Sequence, residues 1–333
     1  MNMQRIIVSL VAVCALFLVG LLGGMGTALA AIFGVLLPYL ALVVFLGGLI
    51  YRVLGWANTP VPFRIPTTCG QQKSLPWIKY AKLDNPAGPL GAAGRVALEV
   101  LCFRSLLRNT SSQLLEGGRL VYATSLALWA AAMVFHWSLL VILLRHLRLF
   151  CEPVPFFVTF LQEADGFLEV GLPVFYVTSI AFLAALAYLL FRRLADQQVR
   201  YISLLDDYFL LFLLLGIGLS GVWLRHLTKT DIPGVKDLAV GLVSFKPVIA
   251  DSVSPLFFGH LFLVCVLLIY FPFSKLLHVA GAFLSPTRSL ANSNRRVRHV
   301  NPWDYPVKVH PYEEYEDELR DKMKAAGVPV DKE

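Results

Sequence analysis

Six stretches of the 333-residue chain run almost without charge, near residues 6–22, 30–54, 120–147, 170–190, 208–227 and 256–283. Each approaches the roughly 20 apolar residues that a helix needs to cross a bilayer. Gly23, Gly24 and Gly26 mark a turn between the first two. The intervening segments differ in kind. Residues 55–119 mix aromatic, basic, Pro and Gly residues, and 96–107 within them suit a short interfacial helix. Residues 312–326, dense in Glu, Asp, Lys and Arg, suit an exposed helix of about four turns. The pattern predicts an all-α integral membrane protein built on a six-helix transmembrane bundle. Its divisions are an N-terminal membrane helix (1–30), a membrane domain with a polar loop at 55–119 (31–283) and a polar tail (284–333).

Composition agrees. The chain is 57% hydrophobic and 15% charged, where a soluble domain carries about 25% charged residues. The net charge of +7 therefore speaks to membrane topology rather than to nucleic acid. Loop 55–119 holds Arg64, Lys73, Lys79, Lys82, Arg95, Arg104 and Arg108; the fourth loop holds Arg192, Arg193 and Arg200; the tail holds Arg288, Arg295, Arg296 and Arg298. The positive-inside rule puts these segments in the cytoplasm. The protein is then a multi-pass protein of the cytoplasmic (inner) membrane, in contact with lipid, and both termini are cytoplasmic if the first helix is retained. Arg5, an apolar run and Ala28-Leu29-Ala30 also suit a cleaved signal peptide; the long apolar core and the span that follows favour a retained helix. Cys14, Cys69, Cys102, Cys151 and Cys265 are scattered, and no C-x-x-C pair suggests an iron–sulfur or zinc site.

Ionisable residues inside a membrane are rare and mark function, and two spans carry four imidazoles: His136 and His146 in HWSLLVILLRH at 136–146, and His260 and His278 on the last span. Ten helical residues rise about 15 Å and eighteen about 27 Å, and both spacings keep the pair on one broad face. The third and sixth spans run antiparallel, so as neighbours they pair His136 with His278 toward the cytoplasm and His146 with His260 toward the outside. Two stacked imidazole pairs meet the needs of two bis-histidine b haems, each iron taking one nitrogen from either side. The two rises differ by about 12 Å on straight helices, a misfit that a kink at Pro272 is placed to absorb. Gly259 offers a macrocycle close approach to the backbone. Arg145, Arg148 and Lys275 lie near helix ends, where propionates or lipid headgroups are equally suitable partners. Arg225 and His226 suit a quinol pocket or a plain interfacial position.

The spacing of ten on one helix and eighteen on the other resembles the gamma-subunit family of respiratory nitrate reductase, membrane dihaem cytochromes b that oxidise quinol, over about 31–283. In this comparison the bundle is a five-helix core plus one N-terminal helix. The stretches TTCGQQKSLPW at 67–77 and LEVLCFRSLLRNT at 98–110, with the tail at 295–305, resemble the DsrM family, cytochrome b subunits of the sulfite-reduction-linked Dsr membrane complex. That resemblance implies two haem b groups, menaquinol as electron donor, a cytoplasmic iron–sulfur partner similar to heterodisulfide reductase, and further membrane and periplasmic subunits. It also implies an electron-transfer subunit of a larger oxidoreductase with no catalytic residue of its own. A cytochrome b subunit of a membrane heterodisulfide reductase is the nearest alternative. A proton-coupled transporter with histidine relays is another, though it calls for mid-membrane carboxylates, and Asp206 and Asp207 sit at an edge.

Overall fold

Backbone amides left unpaired in hydrocarbon are costly, so apolar runs close their hydrogen bonds internally as helices. A computed structural model describes residues 2–59, 70–107, 111–170, 173–285, 287–291 and 309–332. Its helices are α1 (Asn2–Gly23), α2 (Thr27–Ala31), α3 (Leu37–Ala57), α4 (Pro89–Cys102), α5 (Leu126–His146), α6 (Phe156–Asp165), α7 (Val177–Ala195), α8 (Gln197–Ile202), α9 (Leu205–His226), α10 (Ile232–Val243), α11 (Pro255–Tyr270), α12 (His278–Leu284) and α13 (Tyr312–Ala325). One π-turn at Ile32–Leu36 joins α2 to α3 without a break. Among the described residues, six helical segments are long and apolar enough to span a membrane. The protein is a multi-pass, all-α membrane protein.

Several boundaries move for local reasons. The third span begins at Leu126, not 120, because residues 120–123 pair with Ser111–Leu114 as an antiparallel hairpin around Gly117 and Gly118. Both turn glycines have positive φ, near +80°, which residues with a Cβ adopt only at a cost. The fourth span starts at Val177, and the helix expected at 96–107 runs instead over Pro89–Cys102. The largest change is in the sixth span. Rather than one helix over 256–283, α11 stops at Tyr270, two 3₁₀ turns follow around an extended Ser274, and α12 starts at His278. Pro272 has no N–H to continue the α-helix, and the Ser274 side chain caps the second turn by accepting from the Leu276 amide. Short α6 and α10, in the third and fifth loops, were not apparent as hydrophobic runs.

Two compact units divide the chain: Met1–Tyr51 with Val96–Ala282, and Arg52–Arg95 with Phe283–Glu333. In the first, α1, α9 and α11 pack together and α7 bridges α9 to α5. Val13, Leu213 and Leu263 fill the α1–α9–α11 contact, while Phe135, Phe182, Leu186 and Leu214 fill the α5–α7–α9 contact. At the α1–α11 crossing a Cβ on Gly20 would lie 3.0 Å from the Gly259 Cα, so only glycine permits that approach. Arg5 and Ser9 of α1 donate to the carbonyls of Ser203 and Leu205.

The second unit is organised by buried charge. Arg95 donates to the carbonyls of Asp84, Thr287, Arg288 and Leu290 at 2.6–3.1 Å, tying the two chain segments together. The predicted tail helix is present as α13. Its Glu316, fully buried, accepts from the amides of Asp331 and Lys332 at 2.7 and 3.0 Å, folding the last residues back onto the helix. The signature stretches at 67–69, 108–110 and 295–305 lie outside the described residues.

Candidate functional site

The principal helical neighbour of α5 is α7, whereas α11 packs mainly on α1 and α9. The helices expected to be close antiparallel neighbours thus have their main contacts elsewhere, with Leu267 of α11 packed against the cluster that holds Phe135 of α5. His136 and His278 do meet, with ring centroids 6.0 Å apart and planes at 87°. The break at Pro272 and Ser274 makes this possible, because it takes His278 off the straight line of α11. His146 is the last residue of α5, and His260 lies in the second turn of α11.

Each of the four rings has its Nδ1 in a hydrogen bond. His136 Nδ1 donates to the Ala132 carbonyl at 2.8 Å, His146 Nδ1 to Ile142 at 2.7 Å and His278 Nδ1 to Lys275 at 2.8 Å. A carbonyl only accepts, so each Nδ1 carries the proton and each Nε2 keeps its lone pair. His260 has a different partner. Its Nδ1 lies 2.8 Å from Ser220 Oγ, which also lies 3.0 Å from the Ile217 carbonyl. When the ring gives Nε2 to a metal its proton sits on Nδ1, and Ser220 Oγ is then placed to accept it. An Nδ1–H held by an acceptor, with Nε2 available, is the usual state of a metal-ligating histidine.

The separation is equally suitable. With metal–imidazole bonds of about 2.0 Å and about 1 Å from nitrogen to ring centroid, two rings facing one first-row ion have centroids about 6 Å apart. His136 is edged by Phe103 and Phe135, each with its ring centroid 4.8 Å away. Phe103 has φ +47°, a strained value for a residue with a Cβ, and such strain concentrates at functional sites. On these observations His136 and His278 fit the two axial positions of one iron, and His146 and His260 likewise have Nδ1 engaged in a hydrogen bond. Among the described residues no cluster of three or more His, Cys, Asp or Glu side chains offers a different kind of metal centre.

The flanking basic residues have protein partners. Arg145 is buried, with Nε 2.9 Å from Asp165 Oδ2, Nη2 donating to Thr178 and Ser179, and its guanidinium 3.7 Å from the Tyr176 ring centroid. Arg225 stacks on the same ring from 4.4 Å and donates to the Val174 carbonyl. Arg148 donates to Gln162, Lys275 pairs with Asp207 at 2.6 Å, and His226 stacks on Phe175 at 3.8 Å. Gly259 does not face a macrocycle: a Cβ there would strike Phe17 of α1 at 2.9 Å, so its role is helix packing. Sequence reasoning missed Ser220, Phe103 and Asp165. Ser220 had a signal, a hydroxyl between glycines in the apolar run GIGLSGVW.

Comparison with known proteins bears on this arrangement. The chain matches the nitrate reductase gamma subunit family over residues 102–299, a narrower stretch than the 31–283 of the histidine resemblance. It is 45% identical over 283 residues to the Hdr-like menaquinol oxidoreductase cytochrome b-like subunit of Archaeoglobus fulgidus, covering 83% of this chain and 84% of that one. The corresponding subunit of Archaeoglobus profundus is 42% identical over 275 residues, covering 80% and 81%. The nitrate reductase gamma chain of Bacillus subtilis is 28% identical over 190 residues, covering 55% of this chain and 80% of that relative.

Proposed function

The chain belongs to the nitrate reductase gamma subunit family, and on that premise we propose that it is a dihaem cytochrome b that oxidises menaquinol for a cytoplasmic partner. His136 and His278 hold one haem b and His146 and His260 the other. The observation that supports this is that all four imidazoles have Nδ1 engaged in a hydrogen bond, with the His136 and His278 rings facing each other. When bound, the two groups supply one-electron transfer across the bilayer.

The protein's own part is positioning. Helix backbone carbonyls orient three of the rings, and Ser220 orients the fourth. Phe103 and Phe135 pack the edges of His136 and exclude water from that site. Menaquinol, the donor named for the archaeal relatives, releases two protons and two electrons. It binds beside Arg225 and His226 at one edge of the bundle or beside Asp206 and Asp207 at the other. Loop charge places the His136/His278 site toward the cytoplasm.

The electrons then pass to an iron–sulfur subunit of the heterodisulfide-reductase type, within a complex of the DsrM kind that serves dissimilatory sulfur metabolism. The tail at 295–333 is its docking segment. A cytochrome b subunit of a membrane heterodisulfide reductase differs only in that partner. Adding a reduced menaquinone analogue to the oxidised purified protein tests the reading. The account expects the haem bands to become reduced; bands that dithionite reduces and the quinol leaves unchanged contradict it.

A further inference from the structure

Three of the four imidazoles take their Nδ1 acceptor from their own helical turn, three or four residues back. His260 alone takes it from a side chain of a different helix, Ser220 of α9. We propose that Ser220 is a positioning residue that sets the orientation of His260, and so the reduction potential of the His146/His260 site independently of the other site. This rests on the two-haem reading.

The geometry is specific. Ser220 is buried, its oxygen lies 2.8 Å from the ring nitrogen, and it accepts there when iron at Nε2 leaves the ring proton on Nδ1. The next residue is Gly221, where a Cβ would lie 3.4 Å from His260 Cε1. The Ser220-Gly221 step therefore brings the α9 backbone against the imidazole edge and supplies a side-chain hydroxyl at its Nδ1. An acceptor at Nδ1–H makes the opposite nitrogen a stronger donor, and losing such a partner weakens metal binding by about 10–100-fold. A weaker donor stabilises ferric iron less, so the potential at that site rises. The local geometry of His136, His146 and His278 contains no such dependence on a neighbouring helix, so the other site stays as it is.

Redox titration of the purified protein, followed in the haem bands, tests this with Ser220→Ala, Ser220→Thr and Ser138→Ala. Ser138 is a control: buried on α5 between the two histidines, it bonds to the Val134 carbonyl of its own helix. Ser220→Ala should move one of two components to higher potential and leave the other in place. Ser220→Thr, which keeps the hydroxyl, should restore the first component, and Ser138→Ala should move neither. Where Ser220→Ala does not accumulate, Ser220→Cys, with a weaker acceptor, should give a smaller shift in the same direction. Two unmoved components in the alanine or cysteine variant, or two that move together, overturn the inference while leaving the two-haem reading intact. Wild-type protein without two titrating components removes the premise and with it the inference.

Discussion

His136 lies among three rings, two phenyl groups at its edges and His278 opposite. In the crossed arrangement a histidine's functional partner is the one on the distant element, not its neighbour on the same helix. His136→Ala and His278→Ala should therefore remove the same haem and leave matching spectra, while His146→Ala and His260→Ala should leave the complementary spectrum. Spectra that group by helix instead contradict the pairing. The Arg145–Asp165 contact is a different matter. Both side chains are buried, and removing one member of a buried pair strands a charge at a cost of about 3–5 kcal/mol. Asp165→Asn should lower the thermal unfolding midpoint in detergent clearly, with haem bands of unchanged position in the folded fraction.

At the scale of elements, the interruption between α11 and α12 decides whether the site forms. A continuous helix would carry His278 about 27 Å from His260, which does not match the rise of ten residues on α5. Combining Pro272→Ala with Ser274→Ala should extend α11 and lose the His136/His278 haem preferentially, read as a halved haem content per protein. The tail helix makes a separate prediction. The Asp331 amide above all, with the Lys332 amide and Arg320, holds the Glu316 carboxyl below its ordinary range. A carboxyl lowered by folding adds stability that is present above its unfolded value and is lost as pH falls through the folded one. Amide hydrogen exchange across 327–332 should accelerate over that acidic interval, and Glu316→Gln should show fast exchange already at neutral pH. The hydrophobic runs made the six spans and α13 legible, because period and charge are local properties. The hairpin at Ser111–Ala123 and the split sixth span were not, because β pairing and the effect of Pro272 depend on where the chain goes next.

For the molecule as a whole, the histidine spacings of ten and eighteen pointed to the pairing of His136 with His278, but the contact that joins those elements was invisible. The sequence reading made α5 and α11 direct neighbours; in the fold α5 packs mainly on α7 and α11 mainly on α1 and α9, and the His136 and His278 rings meet. Ser220 escaped for the same reason, since its relation to His260 spans 40 residues. The basic flanks were legible as residues but not as partners: Arg145 and Lys275 are bound to Asp165 and Asp207. The central claim is that this membrane bundle carries two bis-histidine haems, and it is tested most directly by haem stoichiometry. A dithionite-reduced minus oxidised spectrum of the purified protein, with haem quantified as the pyridine haemochrome, should show about two low-spin b haems per chain. Correctly inserted protein without pigment, or with a single haem that survives loss of any one histidine, contradicts the account.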